Sequence, residues 1–135
     1  MRMLLSAAAA IISVAAMVAA RADTAQDMGA GAMNRSPPYN FQGGEAVFKN
    51  VCQGCHMANA EGAVGAGMYP ALAKNAKLEV ASYPVAVIVH GQKAMPPFGG
   101  LLSDQQIADV VNYVRTHFGN AYKDKVTPED VKAQR

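Results

Sequence analysis

The longest apolar block of the chain runs from Met3 to Ala20, interrupted only by Ser6 and Ser13. Asp23 to Asn40 follows with small, polar and turn-forming residues (Gly29, Gly31, Pro37, Pro38) and neither a helical nor a strand period, which predicts a flexible leader. Helical spacing starts at Gly44, where Val47, Phe48 and Val51 recur on one face of a first helix over Gly44 to Val51. Asn59 to Gly67 breaks that period with Gly62, Gly65 and Gly67, a loop with tight or left-handed positions. Ala71 to Lys77 predicts a short helix. Tyr83 to Val89 carries Val85, Val87, Ile88 and Val89, with Pro84 near its start, where a helix tolerates proline. A strand would fit those residues too; a helix is preferred because the chain offers no partner strand.

The last long helix is the best defined. Ser103 is a good N-cap, Gln106 stands at the capping-box position, and Asp104 suits the positive end of the helix. Ile107, Val110, Val111, Val114 and Phe118 share one face, and Gly119 supplies the stop. Thr127-Pro128-Glu129-Asp130 reads as the cap and first turn of a small terminal helix. No internal repeat is visible. The pattern predicts one all-α domain over residues 41–119, a leader over 23–40 and a tail over 120–135 with a short helix.

Length and charge narrow the picture further. The 135 residues suffice for one domain. Arg2, the apolar block and Ala20-Arg21-Ala22 have the layout of an export signal over residues 1–22, with cleavage expected after Ala22. An uncleaved membrane anchor is the alternative; the alanine content of the block disfavours it. No membrane span is expected once the signal is removed. Arg2 and Arg21 would leave with that signal, so the 12 Lys and Arg of the whole chain fall by two, to equal the 10 Asp and Glu. Nothing in a nearly neutral mature chain favours nucleic-acid binding, which requires a basic face.

The chemistry is concentrated in Cys52-Gln53-Gly54-Cys55-His56, which uses both cysteines of the chain. Cys-x-x-Cys-His reads as a c-type haem attachment site. On a helical turn Cys52 and Cys55 face the same side, where their sulfurs can bond to the two vinyl groups of one porphyrin, and His56 on that face can reach the iron. A redox-active dithiol or a structural disulfide is the competing reading; a zinc site is weaker, with only His90 and His117 left as nitrogen donors. Export and haem attachment support each other, since the thioethers consume both thiols outside the cytoplasm. The expected location is the periplasm.

The second iron ligand decides the function. Met57 follows His56 directly and cannot reach the opposite face; Met68 lies in the glycine-rich loop on the His56 side, and Met28 and Met33 fall in the leader. His117 reads as a surface residue at a helix C-terminus. Met95 differs by its setting, 39 residues after His56 and directly before Pro96-Pro97, which hold the chain extended. A stiff loop of this kind can hold a sulfur on the iron, although a lone methionine is more usually a core filler. His90 is the runner-up. His/Met ligation closes both axial sites and raises the potential relative to bis-His.

Taken together, Gly44 and Phe48, the Cys52–His56 motif, Pro70 and Leu72, Met95-Pro96 and Asn112-Tyr113-Val114-Arg115 resemble the class I cytochromes c over roughly Phe41 to Gly119. The resemblance implies a cytochrome c-like fold, three to five helices wrapped around one haem c attached through two thioethers. It implies that the first and last helices cross, Gly44 and Phe48 meeting Tyr113 or a neighbour. It implies that the Pro70 carbonyl accepts from the ring of His56 and that Leu72 packs on the haem, with His56 and Met95 on the iron. The tail is similar to that of cytochrome subunits serving bacterial periplasmic dehydrogenases, which implies a dehydrogenase as donor and an oxidase or another cytochrome as acceptor. One-electron transfer is therefore expected rather than catalysis. A haem enzyme or gas-binding protein with an open axial site, and a thiol–disulfide oxidoreductase, are the alternatives.

Overall fold

The computed structural model describes residues 38–65 and 67–135. The stretch expected to be an export signal, its expected cleavage site and all but the end of the expected leader lie outside the described residues, as do Met28 and Met33.

The first helical segment is built in three pieces: α1 (Gly44–Val47), a π turn (Phe48–Cys52) and α2 (Gln53–His56). The sequence pattern gives no hint of the π turn, which widens the helix just before the haem motif. Cys52 is the N-cap of α2, so Cys52, Cys55 and His56 still share the single turn their spacing implies. Met57 ends that turn at φ 67 and ψ 160, a region nearly confined to glycine, at a cost of about 1–3 kcal/mol. The chain thereby leaves the helix directly after His56.

Two differences from the sequence pattern follow. The glycine-rich loop contains a small antiparallel hairpin, β1 (Ala63–Val64) with β2 (Met68–Tyr69), pairing Ala63 with Tyr69 and Val64 with Met68. Its strands are two residues each, too short for an alternating pattern to reveal. The helix expected over Ala71 to Lys77 is absent, and only Ala76–Leu78 makes a 3-10 turn. The N–H groups of Leu72 and Ala73 both donate to the carbonyl of Ala60, at 2.8 and 2.9 Å, and that of Lys74 donates to Phe118 at 3.1 Å. Donors engaged across the fold are not available to a local helix.

α3 (Ser82–His90) forms where helix was preferred over strand, with Pro84 in its first turn and Gly91 at its C-cap. α4 (Asp104–Thr116) starts with the full Ser103/Gln106 capping box. It ends before the anticipated stop, with His117 extended and both Phe118 and Gly119 at positive φ. α5 (Pro128–Lys132) carries a second capping box, Thr127 with Asp130.

α4 is the centre of the fold, packed by α1, the π turn, α3 and α5. The crossing with α1 is close because Gly44 has no side chain: a Cβ there would lie 2.6 Å from Tyr113 Cβ and would also strike the Asp109 carbonyl oxygen. Phe48 stacks obliquely against Tyr113 and Phe118, at ring separations of 5.7 and 4.8 Å. Val47, Phe48, Val85, Ile107, Val110 and Val111 are buried in the core. Val126 and Val131 of the tail are buried in that same core, so the segment after Gly119 packs as part of it.

Candidate haem site

His56 is buried, and its Nδ1 lies 2.8 Å from the carbonyl oxygen of Pro70. A carbonyl only accepts, so Nδ1 carries the proton and donates, leaving the Nε2 lone pair available to a metal. Such a bond fixes the ring and raises its basicity. Gly62 makes the arrangement possible. Its N–H donates to the His56 carbonyl at 3.0 Å, and at φ 70 its Cα abuts Pro70 and Ala71, where a Cβ would lie 2.8 and 2.7 Å from backbone atoms. Pro70 is thus pressed toward the histidine by a residue without a side chain.

Leu72 is fixed from two sides. Its N–H donates to Ala60, and its carbonyl accepts from the Asn120 side chain at 2.8 Å. Buried Asn120 also donates to the Val114 carbonyl at 2.7 Å and accepts from the Asn75 N–H at 2.9 Å, tying the Pro70–Leu72 segment to the end of α4. Sequence reasoning missed Asn120 as a support of the site; an isolated asparagine after a helix stop carries no signal of what it will reach.

Met95 comes from a different element. It closes a tight turn with Gln92, each N–H donating to the other's carbonyl at 3.0 Å, with Lys93 at φ 54. Its own N–H and carbonyl are therefore both engaged. Gly91, at φ 75, backs onto this turn: a Cβ there would lie 2.7 Å from the Met95 carbonyl oxygen and 2.8 Å from Pro97 N. Beyond the prolines, Phe98 and Gly99 donate to the carbonyls of Ile88 and Val89 at 2.8 and 3.3 Å, which ties the turn to the end of α3. The side chain of Met95 is half-buried.

The other candidates are placed less favourably. His117 is exposed, lies 2.9 Å from the Tyr113 carbonyl through Nδ1 and stacks on the Tyr113 ring at 4.1 Å. His90 is exposed at the end of α3, and Met68 is 75% exposed on β2. Among the described residues, no group of three or more His, Cys, Asp or Glu side chains comes together to hold a metal ion.

The donor set fits a haem. Two cysteines outside any disulfide lie on one turn with a histidine whose Nε2 is the available nitrogen, and a thioether stands on a stiffened turn. Leu72, Ile88 and Phe98 pack on the margin of the core with part of their apolar surface left open, as a flat apolar group requires. Burial pushes the Cys52 thiol up to about 12, away from the lowered value of a reactive cysteine.

Residues 40–114 match the family described as "Cytochrome C oxidase, cbb3-type, subunit III". The chain is 38% identical over 102 residues to the cytochrome c subunit of the quinone alcohol dehydrogenase of Gluconacetobacter polyoxogenes, covering 65% of this chain and 21% of the relative. It is 33% identical over 93 residues to the fructose dehydrogenase cytochrome subunit of Gluconobacter japonicus, covering 58% and 19%. Cytochrome c6 of Synechococcus elongatus is 36% identical over 75 residues, covering 53% of this chain and 83% of the relative. The chain thus spans about a fifth of the two dehydrogenase subunits and most of the cytochrome c6. With its Cys52–His56 motif, it belongs to the family of c-type cytochrome domains described as cytochrome c oxidase, cbb3-type, subunit III, and its cofactor is covalently bound haem c.

Proposed function

We propose that this chain is a one-electron carrier of the periplasm, with His56 and Met95 as axial ligands, passing electrons from a periplasmic dehydrogenase to an oxidase or another cytochrome of the respiratory chain. The observation that carries this reading is the 2.8 Å bond between His56 Nδ1 and the Pro70 carbonyl, which dedicates Nε2 to a metal. When bound, haem c supplies a ferric/ferrous couple. The protein's part is to hold the ligands still. Pro70 and Gly62 fix the His56 ring, while Gly91 and the Gln92–Met95 turn hold the thioether, so little has to move when charge changes. The names of the dehydrogenase-subunit relatives support a dehydrogenase as donor. The composition of residues 1–22 supports export.

The test is made on protein from the periplasmic fraction. Intact mass should show cleavage after Ala22 and one covalent haem. The oxidised spectrum should be low-spin with the near-infrared methionine-to-ferric-iron band. Met95→Ala should abolish that band and lower the potential. A high-spin wild-type spectrum with ready carbon monoxide binding would overturn the carrier reading, and a low-spin wild-type spectrum that lacks the band and is unchanged in Met95→Ala would move the ligand assignment to His90.

A further inference from the structure

Arg135 is remote in sequence from the haem motif, yet its guanidinium grips the chain just past Met95-Pro96-Pro97. Nη1 donates to the Gly99 carbonyl, Nη2 donates to the Leu102 carbonyl at 2.9 Å, and Nε donates to Asp104 Oδ1 at 2.5 Å. Gly99 is the residue whose N–H reaches back to Val89 of α3. The exit of the methionine turn is therefore held on one side by α3 and on the other by Arg135.

The base of this grip is firm. Val131 of α5 is fully buried, and α5 packs on α4 and α3. Asp104 is the acidic residue in the first turn of α4, and both partners of its ion pair are only about a third exposed, at 32% and 29%. One planar guanidinium serves three acceptors on two segments, which the point charge of a lysine cannot reproduce. An isolated surface ion pair contributes little. Here the pair aims a fork of donors at two backbone carbonyls of the segment between Pro97 and α4.

We propose that Arg135 is a positioning residue for the axial methionine: by clamping Gly99 and Leu102 it closes the exit of the Gln92–Met95 turn and holds the thioether in place. The proposal rests on the reading of Met95 as a ligand. Loss of the clamp raises the population in which the turn has moved away, and an external ligand that needs this population binds more tightly in proportion.

The experiment is an imidazole titration of the ferric holoprotein, read by loss of the near-infrared band. Arg135→Gln should raise the apparent imidazole affinity about fivefold to tenfold, the effect of losing one or two charge-assisted hydrogen bonds at a partly exposed site. Arg135→Lys should recover part of that change. Tyr122→Phe serves as the control: it removes a 3.2 Å tail-to-Asn75 bond away from the turn, and should lower stability to denaturant while leaving imidazole affinity unchanged. Should Arg135→Gln fail to accumulate, Asp104→Asn should move the affinity in the same direction by a smaller factor. Wild-type affinity in these variants, or an equal rise in Tyr122→Phe, overturns the clamp. Met95→Ala separates the two readings. If it opens the iron while Arg135→Gln behaves as wild type, the clamp alone fails; if it leaves the spectrum intact, both fail.

Discussion

Gly91→Ala tests whether the methionine turn is held by the backbone behind it. Gly91 lies at φ 75 and ψ 165, a region that side-chain-bearing residues occupy at a cost of about 1–3 kcal/mol. The added methyl would sit 2.7 Å from the Met95 carbonyl oxygen, 2.8 Å from Pro97 N and 3.0 Å from Pro96 C. All three are backbone atoms, so no side chain can swing aside, and overpacking of this kind costs about 1–3 kcal/mol more. The expected loss is about 2–6 kcal/mol, or a fall in melting temperature of roughly 10–40 °C for a domain of this size. The relief available is movement of the Met95 turn, so the near-infrared band should weaken even where the protein remains folded. Gly100→Ala is the matched control: nothing lies within 4 Å of its added Cβ, and it should stay within about 0.5 kcal/mol of wild type. Thermal unfolding followed by far-ultraviolet circular dichroism, together with the band of the ferric protein at 25 °C, gives both readouts. A Gly91→Ala protein that melts with wild type and keeps the full band would refute the reasoning.

Three further outcomes follow from the packing. Gly44→Ala should lower the urea midpoint by the equivalent of about 1–3 kcal/mol, because its Cβ meets the Tyr113 Cβ and the Asp109 carbonyl at the crossing of α1 and α4. Arg115→Met should lose about 2–4 kcal/mol in the same assay, since fully buried Arg115 is the donor to the carbonyls of Leu78, Glu79 and Asp124, and methionine leaves all three without it. The Asp124 carboxyl is held below its ordinary value by the hydrogen bond from Arg115. A carboxylate whose folded value is depressed contributes above its unfolded value and loses that contribution as the pH falls through the folded one. The stability advantage of wild type over Asp124→Asn should accordingly be constant near neutrality and shrink below about pH 4, as urea melts across pH would show.

The parts of this protein that were legible in the sequence are those governed by neighbouring residues. Ser103 and Gln106 announced the capping box of α4 because its geometry spans three positions, and Thr127-Pro128-Glu129-Asp130 announced the cap and first turn of α5. Cys52, Cys55 and His56 needed only one helical turn to be recognised. The choice between helix and strand for residues 83–89 was settled by a global argument, the lack of a partner strand, and α3 agrees with it. Ala71 to Lys77 was misread because its backbone donors go to Ala60 and Phe118, far along the chain. The roles of Arg115, Asn120 and Arg135 were not legible for a related reason. Each satisfies carbonyls that lie distant in sequence, and nothing beside them in the chain names those partners.

By itself, then, the sequence determined a covalent haem motif, a helical domain and a short list of second ligands, since these depend on residue type and short spacing. Only the tertiary structure decided which nitrogen of His56 is available, because the Pro70 carbonyl must first be brought within 2.8 Å of Nδ1. It alone seated the Met95 turn against Gly91 and the tail against the core. Those outcomes depend on close approach between backbone segments remote in the chain, and close approach is a property of packing.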